Sequence, residues 1–367
     1  MKKTVSLIMM FVIALTAFTG CQKSRDSNGD GRQKFSQMII GQEDLFSTVI
    51  SVTAYRDSQD EFDGMIDLIT KKYTYLNDLY DIYNDYEGVN NIKTINDNAG
   101  VAPVKVSKEI IDLLKFSKEW YEKSGGKLNV AMGSVLKVWH DFREAYRDDP
   151  TTPLPDIDVL KEKAEHTDID AIVIDEENST VYITDPEVRI DVGAVAKGYA
   201  TEIVCDALNE KYDNYSLSAG GNVKCHGKPD GRERWAIGIQ NPYTDENFKK
   251  QEGQIDVAYF NRDMSLVCSG GYERYVVVNG NRYHHIIDPV TLYPEEIYRG
   301  VTIFCEDSGE ADALSTAVFL SQPEDALRLV ESLDGVECIL YTMDGRQYMT
   351  DGAKQYLASQ GVDVNTP

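Results

Sequence analysis

The segment "DSGEADALSTAVFL" sets a carboxylate, Asp312, and a hydroxyl, Thr316, four residues apart. Asp307 can cap a helix here and Glu310 follows three residues later, so one helical face would carry both oxygens. A carboxylate with a hydroxyl is hard, oxygen-only ligation, which suits Mg²⁺ rather than zinc or copper. Mg²⁺ keeps waters and substrate phosphate oxygens, so two or three protein oxygens suffice. The plain alternative has Asp312 at the positive end of the helix and Thr316 packed inward. A second segment, "RIDVGAVAKGYATEI", puts Asp191 and Lys197 around Gly193 and Ala194. Val188, Ile190 and Val192 predict one face of a strand, with Arg189 and Asp191 on the other. Ala196, Ala200, Val204 and Leu208 then form a helical stripe, so a helix is expected to start near Ala194. Gly193 and Ala194 keep the junction free of bulk and admit a ligand to the backbone. Its bland reading is a tight turn with an Asp cap and a surface Lys.

Three further stretches hold small residues where backbone N–H groups could meet an anion. "SLSAGGNVKCHG" and "CSGGYERY" carry paired glycines, the second as Ser269-Gly270-Gly271. Such loops can cradle a phosphate, although neither matches a dinucleotide or P-loop pattern. "NVAMGSVLKVW" places Ala131-Met132-Gly133 before an apolar helix, where free N–H groups would suit an anion or a flat ring; an ordinary helix start explains it equally well. His284 and His285 sit on the return strand of a hairpin turning at Asn279-Gly280, so their rings face opposite sides and one can enter a site. Histidine there could act as acid or base, or hold a ring. No H-E-x-x-H, G-x-S-x-G or Cys/His pattern occurs.

The elements that must position these groups read as α+β. "SKEIIDLLKFSKEWYEKSGG" is an amphipathic helix from Ser107 to Gly125. "AIVIDEENSTVYITD" and "ERYVVVNGNRYHHIID" read as hairpins, and hairpins mixed with helices disfavour a regular parallel series. The chain has 367 residues, 42% hydrophobic, enough for one sizeable domain at 41–360. Its net charge of −24 argues against nucleic acid as a partner, and an anionic ligand would need a metal ion or local cations. Lys2 and Lys3 precede a short apolar run ending Phe18-Thr19-Gly20-Cys21, which is similar to a lipoprotein signal over residues 1–20. Cys21 would be the lipidated residue and 21–40 a polar tether, with an ordinary secretory signal as the alternative. Asp26, Asn28, Asp30 and Gly31 imitate half a calcium loop, but Gln37 stands where its Glu belongs. The six cysteines contain no C-x-x-C pair.

Taken in series, "NVAMGSVLKVWH", "RIDVGAVAKGYA", "SLSAGGNVKCHG", "WAIGIQNP", "CSGGYERY", "HHIIDP" and "ADALSTA" resemble the ApbE-type family of FAD:protein FMN transferases, over about Phe46 to Phe319. The resemblance implies a T-fold-like α+β domain with antiparallel sheets and packed helices. It implies Mg²⁺-dependent transfer of FMN from FAD to a Thr or Ser hydroxyl of a target flavoprotein, releasing AMP. On family positions, Asp312, Thr316 and the carbonyl of Ala194 match metal ligands. Phe46, Ala131, Met132, Gly133, Asp191, Lys197, Ser269, Gly270, Gly271 and His285 match flavin-dinucleotide contacts, and His285 and Asp312 match the catalytic positions. A membrane redox-pump subunit is the implied kind of target, and the extracytoplasmic face of the bacterial membrane the implied location. The same site with water as acceptor would be an FAD pyrophosphatase; without turnover it would be a flavin-binding lipoprotein. The sequence departs from the family pattern at Phe46-Ser47-Thr48, where Met-Gly-Thr is usual, and at Thr291-Leu292, where Thr-Gly is usual.

Overall fold

The computed structural model describes residues 32–39, 45–245, 248, 249 and 251–366. Cys21 and the proposed signal lie outside them. In chain order the elements begin with strands β1 (Gln33–Ile39) and β2 (Ile50–Arg56) and helices α1 (Gln59–Tyr80) and α2 (Ile92–Asp97). Next come β3 (Val104–Lys105), α3 (Lys108–Lys123), α4 (Gly133–Asp148), α5 (Ile157–Ala164), β4 (Ile172–Asp175), β5 (Thr180–Ile183) and α6 (Ala196–Asn209). Strands β6 (Tyr215–Ala219), β7 (Asn222–His226), β8 (Trp235–Gln240), β9 (Gln254–Phe260), β10 (Met264–Gly270), β11 (Tyr275–Val278) and β12 (Asn281–His284) follow. The chain closes through β13 (Tyr298–Cys305), α7 (Ser308–Phe319), α8 (Pro323–Glu331), β14 (Glu337–Thr342) and β15 (Gln347–Met349).

An eight-stranded sheet in the order β1-β2-β6-β7-β10-β13-β14-β15 forms the frame, and every pairing in it is antiparallel. The period of two divides its faces. Val301 and Ile303 on β13, with Cys338 and Leu340 on β14, join the core beneath α1, α3, α6 and α7. Phe304, Ile339 and Tyr341 point the other way, onto a smaller core with Phe260 of β9 and Tyr356. A third cluster packs Trp139 and Phe142 of α4 against Val276, Val278, Ile287 and Leu292. The hairpin β11–β12 turns at Asn279 and Gly280 with φ of 51° and 79°, as its Asn-Gly pair predicts.

Two readings change. Residues 33–39, placed by sequence in the polar tether, pair with β2 over Gln33↔Arg56 to Ile39↔Ile50. Phe35 stacks on Phe62 of α1 at 5.1 Å, an apolar anchor within a stretch that reads as polar. The segment 188–192 alternates in burial as expected, yet it makes only an isolated bridge, Arg189 with Met132. Its neighbours explain this: Asp191 N–H donates to the Val130 carbonyl at 2.8 Å. The Asn96 side chain takes both backbone groups of Ile190, at 2.7 and 2.9 Å. A turn and a side-chain amide, rather than a strand, satisfy it. Among the described residues no helix is long and apolar enough to cross a membrane.

Candidate active site

Helix α7 starts as its sequence dictates: the Asp307 carboxylate accepts from Glu310 N–H at 2.7 Å. Nearly every later residue is small or apolar and buried, which lets α7 lie directly against α6 and the sheet. The approach is closest at Gly198. A Cβ there would fall 2.3 Å from the Ser308 carbonyl oxygen and 2.4 Å from the Asp312 Cβ, so only glycine fits. Behind it, Ser308 Oγ donates to Asn222 Oδ1 at 2.7 Å, and Ser308 N–H donates to Glu202, itself paired with buried Lys224 at 3.1 Å.

Asp312 is 4% exposed. Its carboxylate accepts from Gly198 N–H at 2.8 Å, while Lys197 Nζ lies 3.2 and 3.3 Å from its two oxygens. Those ammonium contacts are longer than a close charge-assisted bond, so the charge is offset while lone pairs remain free. Lys197 therefore pairs with Asp312 rather than with Asp191, the carboxylate of its own segment. The Gly198 bond has a second effect. In a helix that N–H would belong to the carbonyl of Ala194, and among the described residues no backbone hydrogen bond reaches the Ala194 oxygen. Thr316, one turn past Asp312, makes no side-chain hydrogen bond among the described residues. A carbonyl stripped of its helical donor, a half-satisfied carboxylate and a free hydroxyl form a donor set for a hard cation. No group of three or more His, Cys, Asp or Glu that could hold a metal occurs among the described residues, so any ion here would rest on this mixed oxygen set.

The glycine loops meet beside α7. Cys268 N–H donates to the Gly221 carbonyl at 3.0 Å, and Ser269 Oγ meets Ser315 Oγ at 2.8 Å, tying β10 to α7. Gly270 and Gly271 leave room for neighbours, since a Cβ on them would lie 2.1 Å from the Tyr272 ring and 2.5 Å from His284. The two histidines separate as the strand requires. His284 is fully buried, meets Phe319 edge-on at 5.7 Å and donates through Nε2 to the Glu295 carbonyl at 2.7 Å. His285 directs Nδ1 to the Arg274 carbonyl at 3.4 Å, leaving Nε2 as the acceptor. Burial, with His284 and Arg274 beside it, pushes the His285 imidazole down to about 3. The side chain keeps some solvent contact, and the ring is neutral at pH 7.

Other expected contacts are placed differently. The N–H groups of Ala131 and Gly133 are already used, by Asn129 Oδ1 at 2.8 Å and the Arg189 carbonyl at 2.9 Å. Met132 N–H likewise goes to the Asn129 carbonyl at 3.2 Å. This turn therefore offers no free cradle at those three residues; its glycine lets the 189–191 backbone approach. Asp191 accepts from Gly193 N–H at 2.9 Å, and burial raises its carboxyl despite His140 and Arg143 nearby. Phe46 lies against Tyr73 and Tyr80 at 6.0 and 6.4 Å. The family departures fall on left-handed backbone: Ser47 has φ 50° and Leu292 φ 63°. The glycine conformation is kept where the glycine is missing. Gly198, Arg143 and Arg274 were not singled out from sequence; for Gly198 the signal was a glycine inside a helical stripe.

Antiparallel sheet, buried carboxylate on a small-residue helix and facing glycine loops define an α+β domain with an oxygen-lined site at the contact of α6 with α7. The ApbE family profile matches residues 46–340, and the chain belongs to the ApbE family. It is 33% identical over 271 residues to the FAD:protein FMN transferase of Treponema pallidum, spanning 70% of this chain and 71% of that one. It is 30% identical over 250 residues to the enzyme of the same name from Klebsiella pneumoniae, spanning 67% and 73%. Among solved structures, the ApbE protein of Thermotoga maritima superposes with a TM-score of 0.74 at 28% identity, covering 88% of this chain and 98% of that one. The flavin transferase of Vibrio cholerae, at 21% identity and TM-score 0.70, shares the fold over 89% of this chain and 99% of its own.

Proposed function

We propose that the protein transfers FMN from FAD to a Thr or Ser hydroxyl of a target flavoprotein, releasing AMP, with Mg²⁺ bound by Asp312, Thr316 and the Ala194 carbonyl. The observation that carries this reading is the diversion of the Gly198 N–H to Asp312, which leaves the Ala194 oxygen without its helical donor beside a buried carboxylate. A bound Mg²⁺ supplies charge neutralisation at the pyrophosphate oxygens. The residues do the rest. Lys197 sets the charge and orientation of Asp312. His285, neutral with Nε2 open, accepts a hydrogen bond from the acceptor hydroxyl and aligns it. The hydroxyl oxygen then bonds to the FMN phosphorus, the pyrophosphate P–O bond breaks, AMP departs with the electron pair, and the hydroxyl proton passes to the departing phosphate oxygen or to solvent. The net charge of −24 makes local cations necessary for an anionic substrate. Cys21 supports a lipid tether at the extracytoplasmic membrane face, where a redox-pump subunit would be within reach.

The test is incubation with FAD, Mg²⁺ and a candidate target subunit, followed by intact-protein mass spectrometry. A target gaining the mass of FMN, with AMP in solution, supports transfer. Free FMN and AMP with an unmodified target would make water the acceptor, and unconsumed FAD would refute turnover.

A further inference from the structure

Arg143 has no part in the chemistry above. On α4 it follows Trp139 by four residues and precedes Tyr146 by three, so all three share a helix face. Trp139 stacks on Tyr283 at 5.9 Å, and Tyr146 Oη donates to the Val277 carbonyl at 2.9 Å. That face is pressed onto the hairpin β11–β12 and carries Arg143 with it. Arg143 Nη1 is buried without a hydrogen-bond partner. Among the described residues no carboxylate forms an ion pair with Arg143, nor with Arg274, which precedes the same hairpin. Arg274 donates through Nη2 to the Ser47 carbonyl at 3.0 Å, and its own carbonyl meets His285.

Two guanidinium groups without an ion-pair partner among the described residues thus stand near His285 and the turn that carries Asp191. Burial first, and then the neighbouring cations Arg147 and Arg274, lower the Arg143 pKa. Both cations also act on the Tyr83 hydroxyl and on His285. Burying a cationic donor without a partner is costly. In a chain with 61 acidic residues, neither arginine is given a carboxylate at ion-pair distance, Asp191 and Glu144 acting on Arg143 only from further off, which leaves both open to an anion from outside. A planar fork of N–H donors matches a phosphate in particular. We infer that Arg143, together with Arg274, binds a phosphate group of the dinucleotide donor, an inference that rests on the flavin-transfer reading.

Binding is measured by flavin fluorescence in EDTA, so that turnover does not intervene, with FAD and with riboflavin, which has no phosphate. Arg143→Gln should raise the FAD Kd about tenfold or more, leave riboflavin unchanged, and flatten the salt dependence of FAD binding. Arg274→Gln, at an exposed position, should do the same and serves if the first variant fails to fold. A folded Arg143→Gln that binds FAD within twofold of wild type overturns the inference. So does an equal loss for both flavins, which would mean the guanidinium shapes the pocket. A change confined to the KM for the target protein would assign Arg143 to an acceptor carboxylate and also overturn it. A wild-type protein that binds neither flavin would remove the function proposed above, and this inference with it.

Discussion

Gly198→Ala separates two effects that helix glycines usually confound. In an exposed helix interior, replacing glycine by alanine stabilises by about 0.5–1 kcal/mol. Gly64 of α1 is such a site: exposed, with only the Tyr212 hydroxyl 3.7 Å from an added Cβ. At Gly198 the same methyl meets the Ser308 oxygen at 2.3 Å, the Asp312 Cβ at 2.4 Å and Asn222 Nδ2 at 2.9 Å. None is the free end of a flexible chain, so α6 and α7 must part. Overpacking costs roughly 1–3 kcal/mol. Separation also stretches the 2.8 Å bond from Gly198 N–H to Asp312, and a hydrogen bond to a charged group contributes roughly 1.5–3 kcal/mol. The expected loss is about 4 kcal/mol, on the order of 10 °C in melting temperature, whereas Gly64→Ala should rise by about 2 °C. Thermal unfolding followed by circular dichroism reads both. Mg²⁺-dependent release of AMP from FAD should fall with Gly198→Ala, because Asp312 and the Ala194 carbonyl lose their relative placement. A Gly198→Ala protein that melts within 2 °C of wild type and keeps its turnover would refute this account of the site's assembly.

Asp312→Ala should abolish Mg²⁺-dependent AMP release while the circular dichroism spectrum stays native; retained activity would remove Asp312 from the metal site. Ser47→Gly should stabilise by about 0.5–1 kcal/mol, since an exposed serine at φ 50° bears a left-handed penalty that glycine lacks, and a lower denaturation midpoint would contradict it. Burial lowers the His284 pKa to about 4 from 6.5, so between those values the unfolded chain binds the extra proton. Stability should be fully present above pH 6.5 and fall towards pH 4 by up to about 3 kcal/mol, and His284→Gln should flatten that slope in urea titrations. Arg189 donates to the carbonyls of Pro186 and Val188 at 2.7 and 2.9 Å; Arg189→Ala should lower the melting temperature by a few degrees, about 1 kcal/mol, with turnover kept. Lost turnover at an unchanged melting temperature would contradict that local role.

Local rules carried much of this protein. The Asp307 cap, the Asn279-Gly280 turn and the stripe of small residues on α6 each depend on neighbours within a few positions, where backbone sterics and helical spacing decide the outcome. The opposed rings of His284 and His285 follow from the period of a strand. Family-ordered motifs carried the residues of the proposed site in the same way, because a motif is itself a local record. Relations between distant segments could not be read so. Whether Lys197 would pair with Asp191 or Asp312 depended on the contact of α6 with α7, residues 115 apart in the chain. The N–H groups of Ala131 and Gly133 looked open until the 129–133 turn folded back on Asn129 and met Arg189. Residues 33–39 joined the sheet because Phe62 was there to receive Phe35. Arg143 carried no signal at all, since being without a partner is a property of everything around it. The sequence by itself determined which oxygens and cations exist and which local element holds each. Tertiary packing alone decided that Gly198 N–H leaves Ala194 for Asp312, because a hydrogen bond goes to the acceptor that close approach brings within reach, and only a missing Cβ permits that approach.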